Sequence, residues 1–369
     1  MTPRKTRASL WVAGIAVMAL FVGCWTIAAR VDPFDAKGDL SGELPVFPGA
    51  QGFGSTTVAG RGGQVVRVTS LADRGSGTLR AALEGQTRPR TVIFEVGGVI
   101  ELSSEIVISA PFVTVAGQTA PDPGVTIVNA GIVVHTHDVL IQHIAIRPGD
   151  RVEGPDPENR DGIAVVGDPR GETAVFNVVI DHCSITWAID EGVSTWYANV
   201  RDVTFSNCII AENLSQSLHP KGEHSKGLLI GDHARRIAVI GNLFAHNMRR
   251  NPMAKGNTSS IVAGNLIYNP GTAAIDFSDR ERSGPARSTI SGNVLIRGDD
   301  TAEGLQLVSL SSRVHDTMQI HQADNIELVS LATTSGMDPV TTPEEFVPPS
   351  EAAARMVRSP HSSGWPSRS

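Results

Sequence analysis

One short phrase returns five times along this chain: Ile180-Asp181-His182-Cys183-Ser184-Ile185, Phe205-Ser206-Asn207-Cys208-Ile209-Ile210, Ile240-Gly241-Asn242-Leu243-Phe244, Ala263-Gly264-Asn265-Leu266-Ile267 and Ser291-Gly292-Asn293-Val294-Leu295. Aligned on His182, Asn207, Asn242, Asn265 and Asn293, the intervals are 25, 35, 23 and 28 residues. A period in the twenties with variable insertions marks a solenoid. Short β-branched runs stand between the phrases, among them Thr91-Val92-Ile93-Phe94, Val125-Thr126-Ile127-Val128 and Val139-Leu140-Ile141-Gln142, and helical periodicity is weak. The expected architecture is all-β, a parallel β-helix whose equivalent asparagines stack and bond along the axis. A β-sandwich with turn asparagines competes, but sandwich strands alternate polar and apolar residues more regularly and rarely repeat a whole phrase.

Composition agrees. With 41% hydrophobic and 19% charged residues over 369 positions, there is ample material for a core. Aromatics are only 5% while glycines number 37, so that core is built from Val, Ile, Leu and Ala. The formal charge of −7 argues against nucleic acid as a partner. Arg4, Lys5 and Arg7 precede an uncharged apolar run from Leu10 to Ala29. Residues 1–30 therefore read as an export signal or a membrane anchor, with three possible endings: cleavage near Ala28-Ala29, lipidation of Cys24, or an uncleaved span. Each delivers residues 45–330 outside the cytoplasm, with membrane contact only through the N-terminal segment. Beyond about residue 300 the phrase is not recognisable, and 331–369 reads as a loose tail rich in Pro, Ser and Glu. Cys183 and Cys208 fall at one position of neighbouring windings and are expected as stacked, buried thiols.

Further motifs occur in order: Ala50-Gln51-Gly52-Phe53-Gly54, Ser76-Gly77-Thr78-Leu79-Arg80, Val115-Ala116-Gly117-Gln118-Thr119-Ala120-Pro121, Ile180-Asp181-His182-Cys183-Ser184 and His219-Pro220-Lys221-Gly222. Across residues 45–300 they resemble the pectate lyase family of polysaccharide lyases. The resemblance implies a right-handed parallel β-helix, Ca²⁺ as cofactor, an acidic polysaccharide such as polygalacturonate as partner, and cleavage by β-elimination. A monomer is expected.

That chemistry calls for carboxylates beside cations. Removing the C5 proton of a uronate is difficult while its carboxylate is negative, so a hard cation held by oxygen ligands and a nearby base are both needed. By motif, Asp161 and Asp190, with Glu191 its close alternative, resemble the family's calcium ligands. Asn159 and Ser194 stand where further acids are expected. In Arg249-Arg250-Asn251-Pro252-Met253-Ala254-Lys255, Arg250 takes the position of the proton-abstracting arginine and Lys255 that of a second, substrate-binding arginine. Lys226 resembles the substrate-binding lysine, with Lys221 the competing choice. A free guanidinium has a pKa above about 12, so Arg250 serves as base only where its surroundings disfavour its charge. His219, His224 and His246 fit no common zinc spacing. Two rivals remain open: a glycoside hydrolase on the same coil, and an inactive carbohydrate-binding β-helix.

Overall fold

The apolar runs pair only with their counterparts one winding away, and always in parallel. A computed structural model describes residues 44–328 and shows three sheets of ten, eight and nine strands. Each complete winding contributes one strand to each sheet. Val175–Asp181, Ser184–Thr186 and Glu191–Trp196 form one winding; Val200–Ser206, Ile209–Ala211 and Lys226–Ile230 form the next. This is the expected all-β, right-handed parallel β-helix. Its interior is a continuous column of Val, Ile and Leu, widened by Phe205, Phe244 and Phe277. The segments read as an export signal or anchor and as a tail lie outside the described residues. Among the described residues no helix is long and apolar enough to cross a membrane.

The corner between the first two strands of a winding explains the repeated phrase, and corrects its alignment. Ser206 pairs with Ile240 and Ile209 with Leu243, so Asn242 lies opposite Cys208 and not opposite Asn207. Two positions were merged in the sequence reading. The first turns the chain and has a left-handed backbone: φ is 51° at His182, 53° at Asn207, 65° at Gly241, 62° at Gly264, 64° at Gly292 and 55° at Asp324. Asn and Gly tolerate that conformation better than most residues. The second position points inward and holds Cys183, Cys208, Asn242, Asn265 and Asn293, continuing to Asn325. The phrase therefore does not end near residue 300.

The inward asparagines form the ladder anticipated from the sequence. Asn242 Nδ2 donates to Asn265 Oδ1 at 3.0 Å, Asn265 Nδ2 to Asn293 Oδ1 at 2.9 Å, and Asn293 Nδ2 to Asn325 Oδ1 at 3.0 Å. Each amide also meets a backbone carbonyl one winding below, as Asn265 does at Val239 O (2.9 Å). Cys183 and Cys208 continue this column as buried free thiols. Truncating a ladder residue strands buried donors. Asn265→Ala removes the acceptor of the Asn242 amide and side chain, and is expected to cost about 3 kcal/mol or more. Chemical denaturation checks this; a loss below about 1 kcal/mol would show that water replaces the ladder.

The N-terminal end of the coil is closed by the helix Leu79–Leu83, which buries Leu79 and Leu83 over the core. Thr78 caps its start, accepting from the Ala81 amide. The fully buried Arg90 closes its end by donating to Ala82 O (2.9 Å) and Leu83 O (2.8 Å). An otherwise open coil end is thereby shielded from edge-to-edge association.

Candidate active site

Four charged residues stack at the entry to the eight-stranded sheet. Asp161 and Glu191 stand two residues before Ile163 and Val193, which are register partners. Glu191 pairs with Lys226 on the next winding. On the winding after that, Lys226 bridges Arg249, and Arg250 follows with a left-handed backbone (φ 63°) before Met253, the partner of Leu229. Acid, acid and base thus follow at one level of successive windings, about 4.8 Å apart, and the Arg249-Arg250 pair stands on the next. Asp161, Glu191 and Lys226 are each followed by glycine, and the packing requires it. A Cβ on Gly162 would lie 2.6 Å from Gly192 O, one on Gly192 2.9 Å from Gly227 O, and one on Gly227 2.5 Å from Arg250 O.

The side chains of this column interlock. Asp161 accepts the Glu191 amide at 3.0 Å and the Ser194 hydroxyl at 2.5 Å. Ser194, an apparent gap in the acidic set, orients Asp161. Arg250 donates to the buried Glu191 carboxylate. Lys226 Nζ lies 2.8 Å from Asp190 Oδ1 and 3.6 Å from Glu191 Oε1. Carboxylate oxygens of Asp161, Asp190 and Glu191 all lie within 4.8 Å of one another, so the described residues hold an acidic cluster able to receive a metal ion. Three hard oxygen donors suit a cation such as Ca²⁺ better than a soft metal.

The electrostatics show where positive charge is lacking. Burial, reinforced by Glu191 and Asp190, pushes the Asp161 carboxyl well above the usual carboxylate range, against the hydrogen bonds from Ser194 and Glu191. Burial likewise raises Glu191, with Arg250 opposing. Lys226 is lowered chiefly by burial, with Glu191 opposing. Three acids share two cations here, and the deficit falls on Asp161, which touches neither. A bound cation would relieve it.

The fold also gathers groups that spacing had set aside. His219 Nε2 lies 3.6 Å and His224 Nε2 3.4 Å from Asp190 Oδ1, and the two imidazoles stack with centroids 3.3 Å apart. Both are buried, and burial lowers both pKa values. His246 stands apart, edge-on to Tyr268. Lys221 sits on an exposed rim, paired with Glu158 at 2.5 Å. Asn159 is bonded to Asp156 within its own turn at 3.2 Å. Lys255 is not brought to the cluster. It lies five residues along from Arg250, just past the short strand Met253–Ala254, where Nζ meets Asp232 at 2.6 Å and Glu281 at 3.1 Å.

Asp276, unnoticed in the sequence, flanks Arg250 from the next winding, with a buried Oδ1 that has no partner. Burial raises its pKa from 3.8 to about 7, while Arg250 and Arg249 pull it down. The folded chain thus keeps a proton that the unfolded chain has lost, so this contribution to stability is full below about pH 4 and is lost as pH rises through 7. Asp276→Asn should gain stability relative to the parent on going from pH 4 to pH 8, by up to about 4 kcal/mol. Melting curves across that range test it, and a constant difference would contradict it.

Fold and charged wall together define a parallel β-helix protein with a carboxylate site, flanked by cations, on its outer surface. No protein-family model matches the chain. It is 32% identical over 314 residues to a probable pectate lyase C of Emericella nidulans, covering 82% of this chain and 67% of that one. The chain therefore belongs to the pectate lyase family. A probable pectate lyase C of Aspergillus terreus is 33% identical over 290 residues, or 78% of this chain and 60% of that one, so the chain spans about three fifths of the length of such relatives. Among solved structures, the fold matches the major allergen of cedar pollen (TM-score 0.51, 20% identity, covering 76% of this chain and 83% of that one). It also matches a pectate lyase from Bacillus sp. N165 in complex with trigalacturonate (TM-score 0.52, 15% identity, covering 84% and 97%).

Proposed function

We propose that this chain cleaves polygalacturonate-like polysaccharide by calcium-assisted β-elimination. The observation that carries this reading is the column itself: Arg250 and Lys226 stand on the same wall as Asp161, Asp190 and Glu191, and touch two of those acids. In the reaction Arg250 takes the C5 proton, the C4–O4 bond breaks with its electron pair going to O4, which is protonated by water, and a C4=C5 double bond remains on the new non-reducing end. Asp161, Asp190 and Glu191 would hold the calcium, which when bound supplies a Lewis acid that neutralises the uronate carboxylate.

This chain's own groups do the rest. Lys226, buried and pinned beside the acids, offers an ammonium to the substrate carboxylate. Arg250 lies on Glu191 and has a buried Nε without a hydrogen-bond partner, so it has unused donor capacity toward the site. Release of Glu191 frees the guanidinium to meet C5. Arg250 is then the group assigned to take the C5 proton. Lys221 on the rim steers an acidic chain toward the site, and the Leu10–Ala29 run suits a protein exported to such a polymer.

The test is to mix residues 31–369 with polygalacturonate and record ultraviolet absorbance of unsaturated product with and without chelator. Calcium-dependent absorbance is expected. New reducing ends without that absorbance would instead indicate hydrolysis, for which carboxylates about 5–9.5 Å apart suffice without metal. Retention of polymer without cleavage would indicate a binding protein.

A further inference from the structure

Arg250 has a carboxylate on each side of it along the coil. Glu191, which it bonds, lies two windings back, because Glu191 pairs with Lys226 and Lys226 bridges Arg249. Asp276 lies one winding on, opposite Met253. Ile275 and Phe277 face the core, so Asp276 between them points outward. It continues the level of Ser194, Leu229 and Met253, from which Ser194 reaches Asp161. Asp276 therefore stands on the wall that carries the charged column. Its neighbours in the sheet, Met253 and Ser309, are uncharged, and the charged groups that act on it are Arg250 and Arg249.

Two buried polar atoms at this junction have no hydrogen-bond partner: Asp276 Oδ1, an acceptor, and Arg250 Nε, a donor. Each bears the cost of a buried group left unsatisfied. The backbone is not free to relieve it. Arg250 holds a left-handed φ of 63° and is tied on both flanks: its carbonyl accepts the Leu228 amide at 2.6 Å, and the Asn251 amide donates to Ala274 O at 2.9 Å. What can move is the side chain, which Glu191 draws back across the Lys226 winding.

We propose that Asp276 is a positioning residue for Arg250: when Glu191 turns to a cation in the acidic cluster, the guanidinium crosses to Asp276, Nε donates to Oδ1, and the terminal nitrogens are left facing outward from the wall. The inference rests on the reading of Asp161, Asp190 and Glu191 as a cation site. With its side chain only 16% exposed, Arg250 cannot stay unpaired without a desolvation penalty, so the loss of one carboxylate calls for another within reach. A bond from Nε fixes the plane of the guanidinium and leaves its two outer nitrogens unoccupied, whereas a fork-to-fork pair would occupy them.

The test follows the Nε–H of Arg250 by ¹⁵N–¹H NMR in the full-length chain at pH 7, with the resonance assigned by its loss in Arg250→Lys. In chelator the proton should resonate as an unbonded one. Glu191→Gln in chelator, and calcium added to the parent, should each move it downfield, and Asp276→Ala combined with either should return it. Asp276→Ala should also lower kcat on polygalacturonate about tenfold with KM unchanged, the pattern of a group that orients another for the transition state. Asp276→Asn, which keeps Oδ1 as a neutral acceptor, should recover part of that loss. A resonance that Glu191→Gln leaves in place, or a downfield shift that survives Asp276→Ala, would overturn the proposal. A response to Glu191→Gln with none to calcium would instead reject the cation reading while keeping Asp276 as the alternative partner of Arg250.

Discussion

Arg250→Ala is expected to lower kcat on polygalacturonate by about 10²–10⁴-fold, the range over which a positioned base contributes. Arg250 follows Arg249, the bridge partner of Lys226, and is bonded to Glu191, so its removal takes away the group proposed to meet C5 and leaves a buried carboxylate short of one partner. Two effects must therefore be separated. The loss of the Glu191 partner appears as reduced stability; the loss of the base appears as reduced kcat in protein that is still folded. Arg250→Lys should restore most of the stability and little of the rate, because an ammonium keeps the charge without the reach and fork of a guanidinium. Initial rates from product absorbance, set beside melting temperatures, decide the matter. Undiminished turnover in Arg250→Ala would eliminate Arg250 as the base.

The second large effect concerns Asp161, and its two readouts have opposite signs. Asp161→Asn keeps a carbonyl oxygen for the Glu191 amide and an amide that can face Ser194, but removes a buried carboxylate crowded by Glu191 and Asp190. Without calcium the variant should be more stable than the parent at pH 8, because the raised carboxyl opposes folding once it must ionise. With calcium, it should lose the stabilisation by ligand that the parent shows and most of its activity. A residue of purely structural importance would destabilise the chain under both conditions. Thermal melts with chelator and with calcium, each followed by a rate measurement, separate these outcomes; equal calcium shifts in the two proteins would remove Asp161 from the metal site.

Much of this molecule was legible before its coordinates. The repeated phrase announced the solenoid, because each winding needs a corner residue that tolerates a left-handed backbone and an inward amide that bonds the next winding. The two jobs fall on adjacent residues, and Asn does both, which is why Asn207 and Asn242 were aligned although they play different parts. The charged column was present too, as Asp161-Gly162-Ile163, Glu191-Gly192-Val193 and Lys226-Gly227-Leu228, a charge-glycine-aliphatic triplet at three heights of the wall. It was obscured by spacing, since a loop of variable length precedes each triplet.

The sequence by itself determined the kind of fold, the chemical types at the site and the need for glycine at the tightest points, because these follow from local backbone geometry and from which side chains can be buried. Tertiary structure alone decided the partners: Ser194 on Asp161, Lys226 on Asp190, His219 and His224 around the same carboxylate, and Lys255 drawn away to Asp232 and Glu281. Those pairings arise between residues one or two turns of the coil apart. Their meeting depends on how each loop returns the chain to register, a quantity set by the stacking of whole windings and absent from any local stretch of residues.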